Sequence, residues 1–170
     1  MTKLETMDPI NLSGAELWLS ISILLYFLMN GAQVFETLVF VPKWGASPPQ
    51  NFYLLLDGRG TSLKVFWMVL HSLHEIAFIL AIIFCWKIDG VRNWLLVLFV
   101  IHLGVRIWTI AYFAPHIIEF QNVAQNALAP AELSDRVNKW QTLNYIRVGI
   151  FVVVSVALIP VCMKLFNLRT

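Results

Sequence analysis

Residues 63–86 read LKVFWMVLHSLHEIAFILAIIFCW. About 20 apolar residues, rising 1.5 Å each, cover the ~30 Å hydrocarbon core of a bilayer, so this stretch has the length and character of a membrane span. It nevertheless carries His71, His74 and Glu75. Residues three and four apart are neighbours on a helix, so these three share one face, which is expected to turn away from lipid. Three further runs of the same kind occur, and spans are expected over about 15–41, 62–86, 92–114 and 137–163, with long loops over 42–61 and 115–136. The fold class that follows is all-α: one domain over 1–170, an integral-membrane four-helix bundle.

Composition supports that reading. Of 170 residues, 59% are apolar and 13% charged, against about a quarter charged in soluble domains. The formal charge of +2 is scattered and forms no phosphate-binding tract, which excludes a nucleic-acid partner. The expected partners are the lipid bilayer and a lipophilic small molecule, with a homo-oligomer left open. Lys3, Glu5 and Asp8 precede the first apolar run without a small-residue cleavage site, so a removable signal peptide is not expected. Cys85 and Cys162 stand singly, outside any Cys-x-x-Cys pair, and read as apolar packing residues.

Local signals mark the element ends. Ser13 and Glu16 have capping-box spacing at the start of the first helix, and Pro42, Gly45 and Pro48-Pro49 are expected to end it. The short turn Lys87-Ile88-Asp89-Gly90 makes the second and third spans antiparallel neighbours. Pro115 is expected to end the third span, a short surface helix to follow over 116–129, and Pro130 to open the fourth. Trp18, Trp86 and Trp94 sort to one interface and Trp44, Trp67 and Trp140 to the other, with Trp108 deeper. Basic residues are balanced between the sides: Lys3, Lys87, Arg92, Lys164 and Arg169 against Lys43, Arg59, Lys64, Arg136 and Lys139. Their closeness to the membrane on the short turn and tail favours cytoplasmic termini in a multi-pass protein of the cell membrane. No internal repeat stands out.

Ionisable groups at mid-span cost roughly 2.5–3.5 kcal/mol each on insertion scales, so they call for a partner or a role. The first span contributes Asn30, Gln33, Glu36 and Thr37, the second His71, His74 and Glu75, the third His102 and Arg106, the fourth Asn144 and Arg147. Counted at 1.5 Å per residue from the long-loop side, Glu36 lies about 9 Å deep, His71 and Arg106 about 13 Å, and Glu75 and His102 about 20 Å. One polar layer is therefore expected. With two carboxylates and two guanidinium groups it is neutral as a whole. It serves either as helix-to-helix glue or as a substrate pocket.

His71, His74, Glu75 and His102 are also the set from which a metal or haem ligand would come, although His-Ser-Leu-His-Glu is not the His-Glu-x-x-His of zinc peptidases. Hydrogen bonding and substrate contact explain the same residues with no cofactor. His116 and Glu119 fall at the mouth of this layer and read as water-facing.

Gly31, Glu36, Val41-Pro42, Trp44, Pro48-Pro49, Phe66-Trp67, His71, Tyr112-Phe113-Ala114-Pro115, Trp140, Asn144, Tyr145 and Arg147 resemble the pattern of the anthrone-oxygenase-like family of small four-span membrane proteins. The resemblance runs over nearly the whole chain. It implies a membrane four-helix bundle whose fungal members are linked to oxidation of anthrones to anthraquinones by dioxygen. Carried onto this sequence it marks Glu36, His71, Asn144 and Arg147, whereas His74, Glu75, His102 and Arg106 have no place in the pattern. The expected function is thus a membrane oxidoreductase, oxygenase-like, acting on a lipophilic aromatic or quinone-like molecule. His71 is its base, oriented by Glu36 or Glu75, and Arg147 or Arg106 stabilises the anion. Asn30, Gln33, His74, Glu75, His102, Arg106 and Asn144 are the expected substrate contacts. The alternatives are a non-enzymatic carrier of a small ligand or proton, a metal- or haem-binding redox protein, and an accessory subunit that uses the polar layer for assembly.

Overall fold

The computed structural model describes residues 9–56, 63–126 and 131–168, and these contain no strand. The fold is all-α and of the helical-bundle type. Helix α1 runs Pro9–Phe35 and passes through a π-helical segment, Glu36–Phe40, into α2, Val41–Gly45. A 3₁₀ turn follows at Gln50–Leu55. Helix α3 covers Leu63–Phe84 and α4 covers Asp89–Trp108; a second π segment, Thr109–Phe113, leads into α5, Ala114–Asn126, and α6 covers Leu133–Phe166. Four helical runs, Leu12–Gly45, Lys64–Phe84, Asp89–Gln125 and Leu133–Phe166, are long and apolar enough to cross a membrane.

Exposure is inverted relative to a soluble protein. Leu24, Val100, Ile107 and Val153 are between 66% and 70% exposed, whereas Tyr26, His74 and His102 are at 0% and Gln33 at 3%. Apolar side chains outside and polar ones inside is what a hydrocarbon solvent selects.

The helix ends depart from several expectations. Helix α1 is already under way at Pro9, a residue that suits a first turn because the N–H it lacks would be unpaired there anyway, so Ser13 and Glu16 lie within the helix and form no cap. The first helical run stops at Gly45, before Pro48-Pro49, as expected, but neither Pro42 nor Pro115 ends its helix. A proline pushes away the carbonyl four residues before it, which here belongs to Leu38 and to Ala111. Both lie inside the π segments, where Val41 N–H bonds to Glu36 O and Ala114 N–H to Thr109 O. The widened turn takes up the strain, and the helix continues. Pro130 lies outside the described residues, as do Lys3, Glu5, Asp8, Arg59 and Arg169.

Aligning the two π segments lines up a few residues around them. Gly31, Phe40, Pro42, Trp67, Leu70 and Phe78 recur, in order and at identical spacing, as Gly104, Phe113, Pro115, Trp140, Leu143 and Phe151.

The chain divides into two compact units. The first comprises Met1–Met29, Lys64–Leu103 and Val152–Thr170, the second Asn30–Leu63 and Gly104–Phe151. In the first, α3 and α4 are antiparallel neighbours: Phe78 meets Phe99 at 5.1 Å and His74 meets His102 at 4.9 Å between ring centroids. Their connection is tightened by an Arg92–Asp89 ion pair of 3.0 Å, with Arg92 lying 5.4 Å over the exposed Trp86 ring. Glycine at position 14 permits close approach in this unit, since a Cβ there would come within 2.5 Å of the Phe84 ring. Cys85 is buried and Cys162 half-buried, both as free thiols.

The second unit has an aromatic core of Trp44, Phe52, Phe113, Phe120 and Trp140 with Val41, Val123, Leu133 and Val137. Trp44 and Trp140 are 1% and 5% exposed, so they fill this core and do not anchor outward at an interface. Helix α6 has 34 residues, about 51 Å of helix against a ~30 Å hydrocarbon core. Its excess includes the charged stretch of Asp135, Arg136 and Lys139, and this aromatic core forms a cap at that charged end of α6. A bidentate Arg136–Glu119 ion pair ties α6 to α5 there, and Gln121 Nε2 donates to Leu55 O at 2.8 Å.

Candidate functional site

The polar residues picked out by sequence fall into two groups, one in each unit. Those of the first unit centre on a tyrosine that sequence reading left out. Tyr26, His74 and His102 are all fully buried. The Tyr26 hydroxyl and His102 Nδ1 are hydrogen-bonded at 2.9 Å. The His74 ring lies 4.3 Å from the Tyr26 ring and 4.9 Å from that of His102, with Phe78 and Phe99 completing the surround. Tyr26 is neutral in water and raises no insertion alarm, so charge-based scanning passes over it. The available signal was position: it stands one turn before Asn30 on the same face of α1.

His71 is buried, its ring 5.5 Å from that of Trp67. Glu75 is half-buried. Among the described residues no group of three or more His, Cys, Asp or Glu side chains is arranged to hold a metal ion.

The second unit holds Asn30, Gln33, Glu36, Thr37, Arg106, Asn144 and Arg147. Asn30 Nδ2 donates to Phe151 O at 3.3 Å, and Asn144 Nδ2 donates to Thr37 Oγ1 at 3.0 Å. These two bonds set the register of α1 and its π extension against the antiparallel α6. Gln33, between Asn30 and Thr37, stands at the level of Arg147 and Val148, between Asn144 and Phe151.

The Arg147 guanidinium lies 4.6 Å over the Phe113 ring, a cation–π arrangement. Its Nη1 donates to Thr109 Oγ1 at 3.5 Å, the long limit of a hydrogen bond, while Thr109 itself donates to Val105 O at 2.8 Å. The charges of Glu36 and Arg106 both bear on Arg147. Glu36 and Thr109 open the two π segments and Phe113 closes the second, so each widened turn supplies groups around the arginine. Such turns recur at functional sites.

Gln33 Oε1, Asn144 Oδ1 and Arg147 Nε have no hydrogen-bond partner among the described residues. Gln33 and Asn144 are 3% and 1% exposed. Buried polar groups are almost always paired, so a cluster of three is unusual. Thr109 and Phe113 are the members that sequence reasoning missed. They open and close the second π segment, as Glu36 and Phe40 do the first.

Outside this cluster, His116 Nδ1 and Tyr112 O lie 2.7 Å apart, and Glu119 is committed to Arg136. Both side chains thus serve local structure in the cap. Compared with protein families, curated proteins and solved structures, the chain matches none.

Proposed function

We propose that this chain is an oxidoreductase of oxygenase-like type, in the cell membrane with its termini in the cytoplasm, acting on a lipophilic aromatic or quinone-like small molecule. The observation that carries the reading is Arg147: a guanidinium laid on the Phe113 ring, with its Nε free of any hydrogen-bond partner among the described residues. An aromatic substrate that has lost a proton carries its charge on a planar, oxygen-bearing frame. A planar cation on an aromatic ring matches that frame in shape and charge, and a charge-assisted hydrogen bond to it is stronger where water is scarce. In this reading Glu36, in the same unit as Arg147, removes the proton. Dioxygen then oxidises the anion, a methylene becoming a carbonyl as one oxygen atom enters the product and the other leaves as water. No cofactor is required, and a homo-oligomer is compatible with the scheme.

The test is dioxygen uptake and product absorbance with a panel of anthrones and quinols, using protein purified in mild detergent whose metal content and visible spectrum are recorded first. Arg147→Gln is expected to lower kcat/KM by about 10²–10³, the range for loss of one oxyanion donor. Arg147→Lys should lie between Arg147→Gln and the parent. Full turnover by Arg147→Gln, or by Glu36→Gln, would refute the role given to that residue. A stoichiometric metal or haem band lost on replacing His71, His74 or His102 would move the chemistry to those imidazoles.

One observation favours a second reading, a non-enzymatic carrier of protons. The hydrogen-bonded Tyr26–His102 pair with His74 against it is fully buried and made of groups that exchange protons. Vesicles loaded with a pH-sensitive dye distinguish the two: a carrier dissipates an imposed pH gradient and loses that activity in Tyr26→Phe, whereas the oxygenase leaves the gradient intact.

A further inference from the structure

We infer that Gln33 and Asn144 form a hydroxyl-reading pair in the second unit, which makes the site selective for the reduced, hydroxylated form of an aromatic ligand over its oxidised quinone. The inference rests on the substrate class proposed above and adds which redox form is held.

The argument is an inventory of donors and acceptors. Gln33 Oε1 and Asn144 Oδ1 are acceptors and Arg147 Nε is a donor, none of them partnered among the described residues. The Asn144 amide is fixed by its Nδ2 bond to Thr37 Oγ1, which leaves its oxygen as the open end. The α1–α6 register set by the Asn30–Phe151 and Asn144–Thr37 bonds puts all three groups within two helical turns. The complement is a molecule that offers two O–H donors beside one oxygen acceptor. A quinol or polyhydroxylated aromatic fits. The corresponding quinone, lacking two protons and two electrons, presents only acceptors, which would face Gln33 Oε1 and Asn144 Oδ1 acceptor to acceptor. A buried site that hydrogen-bonds a ligand hydroxyl rejects the analogue without it because its own groups are then left unpaired. Two-electron oxidation of those hydroxyls therefore weakens binding.

The test is binding, not turnover. Quenching of intrinsic tryptophan fluorescence is titrated under argon with 1,4-naphthohydroquinone, its dimethyl ether and 1,4-naphthoquinone. The hydroquinone is expected to bind about tenfold or more tightly than either of the others. Gln33→Met and Asn144→Leu should each reduce that preference, by weakening the hydroquinone relative to the dimethyl ether. Equal binding of all three probes to the parent protein overturns the inference without needing any variant to fold. A preference that survives in both folded variants also overturns it. Binding of none of the three would remove the substrate class and the inference together, whereas preferential binding without dioxygen-dependent turnover would sustain the inference and refute the oxygenase.

Discussion

Replacing Phe52 and Phe78 by alanine, one at a time, asks which solvent stabilises each part of this protein. Both side chains are 0% exposed. Phe52 sits in the cap core, 5.2 Å from the Phe120 ring and 6.0 Å from that of Trp44. Phe78 sits on α3, 5.1 Å from Phe99. A buried aromatic removes about 150–250 Å² from contact with solvent. Where the alternative is water, about 25 cal/mol per Å² gives roughly 4–6 kcal/mol as an upper bound, in line with about 3–5 kcal/mol for Phe→Ala in soluble cores.

Where the alternative is lipid, the transfer contribution nearly vanishes, because hydrocarbon tails are as apolar as the core, and a cavity cost of about 1–2 kcal/mol remains. Phe52→Ala should therefore be the more damaging, although both residues are equally buried. The damage should be local. Segment 50–55 is otherwise held by the Gln121–Leu55 bond, by Asn51 Nδ2 donating to Lys43 O at 2.9 Å, and by its own turn hydrogen bonds.

A loss of about 3–5 kcal/mol is a change of two to three and a half orders of magnitude in the local opening equilibrium. Hydrogen exchange measured in nanodiscs reads it directly at the amides of 50–56, with those of 70–84 as the comparison for Phe78→Ala. A shift below tenfold at 50–56, or a larger effect from Phe78→Ala than from Phe52→Ala, would refute the placement of the cap in water.

Three further outcomes are expected. In a double-mutant cycle of Tyr26→Phe and His102→Gln, followed by unfolding in mixed micelles, the coupling energy should be about 0.6 kcal/mol and no more than about 1.7, the range for hydrogen bonds between membrane helices. A value near zero would mean that the 2.9 Å bond holds nothing together. The Arg136–Glu119 pair is about a third exposed on each side, so its coupling should stay within about 1 kcal/mol and shrink between 0.1 M and 1 M salt; an unchanged value at high salt would refute its exposure. Deleting Ile110, 63% exposed within the second π segment, should return that turn to α geometry with little loss of helical circular dichroism. Dioxygen-dependent turnover should fall on the order of 10²-fold, because Thr109 and Phe113 shift against Arg147 by an ångström or more. Unchanged turnover would show that the widened turn has no part in the site.

The four long apolar helices were legible because hydrocarbon imposes a simple requirement on length and apolarity, and residues such as Leu24, Val100 and Val153 match it by their exposure. The helix ends were less so. Reading Pro42 and Pro115 as stops applies a rule in which the freed carbonyl turns to water, whereas these helices keep their hydrogen bonds by widening a turn. Trp44 and Trp140 were read as interface anchors because tryptophan favours headgroups. Their burial follows from the cap, a tertiary feature that no single span announces. In the candidate site, Asn30, Gln33, Asn144 and Arg147 were found through the cost of placing them in lipid, while Tyr26 and Thr109 carry little such cost and emerged only from their partners.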